Sequence, residues 1–457
     1  MYLSWDTVNC QQLKNNQLNK KVYIMDLKPT KPLSGFIELL PAQQRCFDYC
    51  AAKMQNVLKL AGFSMLDLPA IERAEVLTDK DNWDEIETQM FLFQKSDTKM
   101  GLRYDGTVGL SRYVAGHLND LVFPFRASQF SKRYRGERAQ RGRYREFYQM
   151  DLDIMGINSL STNYDAEIIS VINRALASVA EFIGPAEVLI GSRPFWDALF
   201  DCLEMTQDQK KDVFVLIDKR DKMGDDDFAE GLRDTLNDEN KESLIKSVFS
   251  DGYNGFVNKT EKLDAAINEL TKFMDVLAGM GVKNAKIDLS ITRGLAYYTG
   301  LVFEFKLINH PELGTAAGGG RYADLAGKFS KTKIIGVGAA IGFSRIFAAM
   351  LENNQIDLTA FQSPIDVAVL VMGDNNVAYA SGIVNTLRDE NIAAVSYLDT
   401  EKKFKNQIEY ADKIKAKFSM IIGDDESQNQ VVALKNMETG NQVSVSLADA
   451  IKTIKAA

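Results

Sequence analysis

Two strand-patterned runs, LVFPFRASQFSKRYRGE and REFYQMDLDIMG, flank the polar turn AQRGR. Runs of this kind joined by a short Gly-containing turn predict an antiparallel hairpin. Its connecting loop is unusually basic. From Arg133 to Asp151 six of nineteen residues are arginine, and from Arg126 to Arg145 the local charge is +7, in a chain whose formal net charge is −8. An acidic protein of this kind is not coated with basic charge for general nucleic-acid binding, so the positive charge has a local task. Arginine's planar fork binds phosphate oxygens bidentately. Glu137, Glu146 and Gln149 stand among the arginines, and a carboxylate or an amide can read an amino group. The mixture suits a polyphosphate nucleotide together with an amine-bearing substrate.

The remaining elements follow from periodicity. LLPAQQRCFDYCAAKMQNVLKLAGF carries apolar residues at helical spacing, with Pro41 suited to its first turn and Gly62 to its stop. SMLDLPAIE reads as a short strand interrupted by Pro69. MGLRYDGTVGLSRYVAGHL reads as strand, turn and helix, and a helical pattern returns from about 163 to 183. Residues from 188 to about 281 combine acidic clusters with helical apolar spacing and few strand signals, which predicts a helical insertion. KIDLSITRGLAYYTGLVFEFKL reads as strand, loop and strand, with Arg293 at a strand end beside Tyr297 and Tyr298. TAAGGGRYADLAGKF reads either as a flexible turn or as a place where backbone approaches a ligand closely. IIGVGAAIGFSRIFAAML is a Gly-rich strand leading into a helix that carries Arg345. Taken alone, Arg293 and Arg345 also read as ordinary surface arginines. After the polar stretch NNQIDLTAFQSP, strands alternate with helices, which predicts a small, largely parallel α/β domain.

Composition narrows the chemistry. The chain's 457 residues, 46% of them hydrophobic, suffice for two or three domains. Two histidines, His117 and His310, argue against a histidine-based metal or triad site. Four cysteines make no disulfide framework and fit a reducing compartment, and Cys46 and Cys50, four apart on one helix, read as core. No apolar run is long enough to span a membrane, and the first residues lack a signal-peptide pattern. A cytoplasmic location is the expectation.

Together these motifs resemble the class II aminoacyl-tRNA synthetases, and specifically the histidyl-tRNA synthetase family. RGERAQRGRYREFYQMDLDIMG resembles the second class-defining motif and GVGAAIGFSRIF the third. The helix through Met54 and the strand ending near Pro69 resemble the first, which builds the dimer interface. TRGLAYYTGLVFEF and AAGGGRYADL resemble the two motifs particular to the histidine enzyme, and the tail resembles its anticodon-binding domain. The resemblance implies an α/β fold of α+β type: a class II antiparallel sheet flanked by helices, with a helical insertion and a C-terminal α/β anticodon-binding domain. It places the first part of the catalytic core at 1–187, the insertion at 188–281, the second part of the core at 282–354 and the anticodon-binding domain at 365–457.

The implied activity is ATP-dependent activation of L-histidine and transfer to the 3′ end of its tRNA, by a homodimer, with Mg²⁺ accompanying the ATP. The resemblance assigns Arg135 to the α-phosphate, Glu137 to the adenine amino group, Phe147 to stacking on adenine, and Arg143 and Arg345 to the outer phosphates. It sets Arg293 against the α-phosphate, where other class II enzymes place a metal. Asp105, Thr107 and Gln149 take the α-amino group. Asp153 and Tyr298, beside Tyr297, bracket the imidazole, whose two distinct nitrogens a carboxylate and a phenol can satisfy. Arg138 and Gln140 meet the acceptor end of tRNA. The alternative is a non-catalytic protein of the same core fold, the regulatory subunit of ATP phosphoribosyltransferase.

Overall fold

The computed structural model describes residues 30–78, 88–140, 142–220, 223–257, 259–292, 298–323, 326–352 and 356–457. Helix α1 (Pro41–Leu60) opens on Pro41, where a missing N–H costs nothing, and Gln43 Oε1 accepts the Leu40 N–H at 2.9 Å. It ends before Gly62, whose φ of +80° suits a residue without a Cβ. Its apolar stripe, including Cys46, Phe47, Cys50, Met54 and Leu58, is buried.

The expected strand around Pro69 is two short strands in different sheets. β1 (Ser64–Met65) runs parallel to β5 (Phe125–Tyr134), whereas β2 (Ile71–Arg73) belongs to a three-stranded sheet with β3 (Leu92–Lys95) and β4 (Thr98–Leu102). Pro69, unable to donate to a ladder, lies at the changeover. Helix α2 (Thr107–Gly116) follows β4.

The expected hairpin is present: β5 pairs antiparallel with β6 (Glu146–Ile157), from Phe125 opposite Met155 to Tyr134 opposite Glu146. Helix α3 (Asn163–Ala177) then leads to β7 (Ala186–Ser192), β8 (Ala285–Ile287), β9 (Tyr298–Leu307), β10 (Thr315–Tyr322) and β11 (Ile334–Ile341). Among the described residues these form one eight-stranded sheet, ordered β1-β5-β6-β11-β10-β9-β7-β8, antiparallel except for its two edge pairings. Helix α4 (Phe343–Glu352) packs beneath it. The Phe47 ring of α1 stands edge-on to Phe343, Phe347 and Tyr148, with centroids 4.7, 5.1 and 5.2 Å away.

One expectation needs correction, and one of two open readings is ruled out. The segment expected to be helical from residue 188 opens on a sheet strand, β7, and its helices begin at Arg193. Val188, Leu189 and Ile190 are all buried, so the strand lacks the alternation that marks a half-exposed one. Those helices also share one hydrophobic core with the sheet, and the Trp196 indole donates to the Leu289 carbonyl at 2.9 Å. The triple glycine is no turn. Gly318, Gly319 and Gly320 lie inside β10, paired on both sides.

The tail forms a second sheet, ordered β13-β12-β14-β15-β16, from β12 (Val367–Val371), β13 (Ala394–Tyr397), β14 (Phe418–Ile422), β15 (Val431–Asn436) and β16 (Gln442–Ser446). The first three are parallel and the last two antiparallel. Val367, Val369 and Val371 enter one core, Ala368 and Leu370 another, so β12 is covered on both faces. No described helix is long and apolar enough to cross a membrane.

Candidate active site

Strand β6 sorts its side chains by the two-residue period of an extended chain. Met150, Leu152 and Ile154 enter the main core with α1 and α3. Phe147, Gln149, Asp151 and Asp153 therefore share the opposite face. The register continues this face across the sheet. Asp151 lies opposite Ala340, which lies opposite Gly318; Asp153 lies opposite Gly338, which lies opposite Gly320. Small residues on β10 and β11 leave a trough, and polar residues on β6 form its wall.

A cavity of about 350 Å³ occupies one end of this trough. Arg135, Glu137, Arg143, Phe147, Gln149 and Arg345, six of the expected site residues, all line it. Arg345 projects from the first turn of α4, where its Nε donates to the Gly142 carbonyl at 3.1 Å and its Nη1 to the Thr315 carbonyl at 2.9 Å. Burial, with Arg143 and Arg135 nearby, draws its pKa below the usual arginine value. The Arg135 guanidinium stands 4.4 Å from the Tyr104 ring centroid and 5.3 Å from that of Phe147. Glu137 faces Arg143 at 3.7 Å. Three guanidiniums against one carboxylate leave the cavity positive, which suits an anion carrying several phosphate oxygens.

The other end of the trough is acidic and buried. Asp153 is 1% exposed and accepts the Tyr322 phenol on Oδ1 at 2.9 Å. Burial, and then Asp151, push its carboxyl well above the usual carboxylate range, while the phenol and Arg133 pull it back. Asp105, also buried, accepts the Val108 N–H on Oδ1 at 3.2 Å, and its Oδ2 has no hydrogen-bond partner among the described residues. Burial raises its pKa too. An orphaned buried carboxylate oxygen is costly and suits an incoming ammonium group. Thr107 starts α2 directly after the Asp105–Gly106 turn. Tyr298 begins β9 in register with Tyr322.

Arg138 and Gln140 are exposed on the hairpin loop and outside the cavity lining. Gln140 closes a tight turn there by exchanging backbone hydrogen bonds with Arg143 at 2.8 and 3.1 Å. Arg293 and Tyr297 lie outside the described residues.

Three residues of this region were not singled out from the sequence as ligands or supports. Tyr322 was visible only as the tail of a glycine run. Arg133 and Asp151, both buried, form an ion pair, and Arg133 Nη1 also donates to Ser131 Oγ at 2.8 Å. The signal was available in part. Strand alternation puts Asp151 on the same face as Gln149 and Asp153, and the hairpin register puts Arg133 on that face as well.

An antiparallel sheet with a parallel edge pairing, a basic hairpin loop over a polyphosphate-sized cavity and an arginine from the helix after β11 define the catalytic domain of a class II aminoacyl-tRNA synthetase. Residues 35–347 match the histidyl-tRNA synthetase family, and residues 366–457 match the anticodon binding domain family. The chain is 38% identical over 441 residues to the histidine–tRNA ligase of Clostridium tetani, covering 94% of this chain and 99% of that one. It is 39% identical over 436 residues to that of Finegoldia magna, covering 93% and 99%. The crystal structure of histidyl-tRNA synthetase from Nostoc sp. PCC 7120 superposes with a TM-score of 0.78 at 30% identity, covering 94% of this chain and 99% of the other. The chain belongs to the histidyl-tRNA synthetase family.

Proposed function

We propose that the chain activates L-histidine with ATP and transfers it to the 3′ end of the histidine tRNA, and that it does so with the residues gathered in the trough. In the first step the histidine carboxylate attacks the α-phosphorus of ATP, and pyrophosphate leaves. Arg135 holds the α-phosphate, while Arg143 and Arg345 hold the outer phosphates and stabilise the charge that leaves with them. Phe147 stacks on adenine and Glu137 accepts its amino group. In the second step a hydroxyl of the terminal ribose attacks the aminoacyl carbonyl, and AMP leaves. Arg138 and Gln140, exposed beside the cavity, meet the acceptor end.

The amino acid occupies the acidic end. Asp105, Thr107 and Gln149 take the α-ammonium, and Asp153 with Tyr298 takes the imidazole. Leaving either imidazole nitrogen buried and unpaired costs about 1–3 kcal/mol, so amino acids without that pattern are rejected. Arg293 and Tyr297 keep the roles expected of them, against the α-phosphate and beside the imidazole.

Among the described residues no group of three carboxylates, thiols or imidazoles could hold a metal. Magnesium arriving with ATP would take most of its ligands from phosphate and water, as it commonly does. Glu304, buried and opposite Gly318 of the cavity lining, accepts the Thr315 hydroxyl on Oε2 at 2.7 Å and could offer its other oxygen. Two copies of the chain associate as a dimer through the region of α1 and β1, and the enzyme works in the cytoplasm.

The observation that carries this reading is the meeting of Arg135, Glu137, Arg143, Phe147, Gln149 and Arg345 in one cavity. Its test is ATP–pyrophosphate exchange with each of the twenty amino acids and no tRNA. Exchange with histidine alone is expected. Silence with all twenty, in a folded sample that still binds histidine, would favour the regulatory alternative.

A further inference from the structure

The hydrogen bond between Tyr322 and Asp153 joins residues from strands that are not neighbours. Tyr322 belongs to β10 and Asp153 to β6, with β11 between them. For the phenol ring to lie across β11, that strand must carry no side chain on this face, and it presents Gly336 and Gly338. A methyl group at Gly338 would collide with Asp153 Oδ1, and one at Gly336 would collide with the Tyr322 ring. The end of β10 is also fixed from the other side. Arg321, pointing to the opposite face, donates to both oxygens of Asp165 and to the Leu160 and Ser161 carbonyls. Tyr322 is 1% exposed, and its phenol supplies the single hydrogen bond that Asp153 accepts among the described residues.

We propose that Tyr322 is a positioning residue for histidine selection, whose phenol occupies Asp153 Oδ1 and so presents Oδ2 to the imidazole. This rests on the reading of Asp153 as the imidazole partner. A carboxyl group rotates readily about its last bond, because that torsion is broad and two-fold. Pinning one oxygen removes that freedom before the ligand arrives, which lowers the ordering cost of binding. The pinned group also has to accept. A neutral imidazole offers one N–H and one lone pair, and an ionised carboxylate can pair only with the N–H. Asp153 is faced by Asp151 on its own strand, Asp105 from the turn before α2, Arg133 from β5 and Tyr322 from β10. The two carboxylates and burial oppose ionisation, whereas Arg133 and the phenol support it.

Histidine-dependent ATP–pyrophosphate exchange by Tyr322→Phe tests the role. The KM for histidine is expected to rise about tenfold, the scale of one hydrogen bond to a charged group, with the KM for ATP within about twofold of the parent. The acid limb of the kcat/KM profile for histidine is expected to move to higher pH, because the carboxylate has lost a supporting donor; the limb from free histidine itself is common to both proteins. An unchanged histidine KM and an unmoved limb, or equal rises in both KM values, overturn the proposal. Gly338→Ala displaces the carboxyl while retaining the phenol and is expected to show the same histidine-specific loss; its absence also counts against the proposal. Asp153→Asn separates this inference from the reading beneath it. If that variant leaves the histidine KM untouched, the assignment of Asp153 fails and the positioning role fails with it. If it raises the KM while Tyr322→Phe does not, the positioning role alone is overturned.

Discussion

Arg321 and Asp165, 156 residues apart, meet through two hydrogen bonds of 2.6 and 3.1 Å and tie the end of β10 to the first turn of α3. The carboxyl is buried, and desolvation outweighs the guanidinium, so its pKa is raised to about 6 from an ordinary value of 3.8. The folded state therefore holds this proton more tightly than the unfolded chain does. The stability that results is fully present below about pH 3.8 and is lost as pH rises through about 6. Urea unfolding of the parent and of Asp165→Asn across pH 4 to 7 should show a stability difference that varies through this window. A difference independent of pH would count against the raised value.

Arg133 and Asp151 form a buried ion pair in the wall of the trough. Removing one partner leaves an uncompensated buried charge, so Arg133→Ala should lose about 3–5 kcal/mol of stability. A double variant replacing both with apolar residues should recover much of that loss. Denaturant unfolding of the two proteins checks this, and equal losses would mean that the charge left behind is solvated.

Arg345→Ala should raise the KM for ATP tenfold or more in the exchange assay, on the scale of a lost charged hydrogen bond. Its effect on the histidine KM should be smaller, because Arg345 lines the basic cavity and Asp105 and Asp153 do not. Equal effects on both substrates would indicate that the cavity has collapsed, since Arg345 also holds the Gly142 and Thr315 carbonyls.

Removing the residues after Pro364 should impair tRNA charging far more than histidine activation. The tail has its own sheet and its own two cores, while the α1 anchor to Phe361 and Gln362, through Arg45 at 2.7 and 2.5 Å, stays with the remaining chain. The pair of assays on one truncated protein decides it, and parallel losses would contradict separate tasks.

The hairpin, α1 and the Gly-rich strand leading into α4 were legible because each has a local period. Six of the expected site residues share one cavity, and five of them could be named together because the hairpin keeps them close in sequence, Arg345 being the distant one. Other features were hidden for physical reasons. β7 is buried on both faces and so has no alternation to detect. The glycines of β10 look like a turn until pairing with β9 and β11 supplies their backbone partners. The Tyr322–Asp153 bond spans 169 residues and depends on two glycines of a third strand, so no local pattern announces it.

Those two glycines give the pocket an asymmetric future. A side chain of one hydrogen atom has nothing left to trim, so every coding change at Gly336 or Gly338 adds atoms to the space that Tyr322 and Asp153 already fill. Mutation at these positions can only crowd the space around Tyr322 and Asp153, and added room there has to come from other positions.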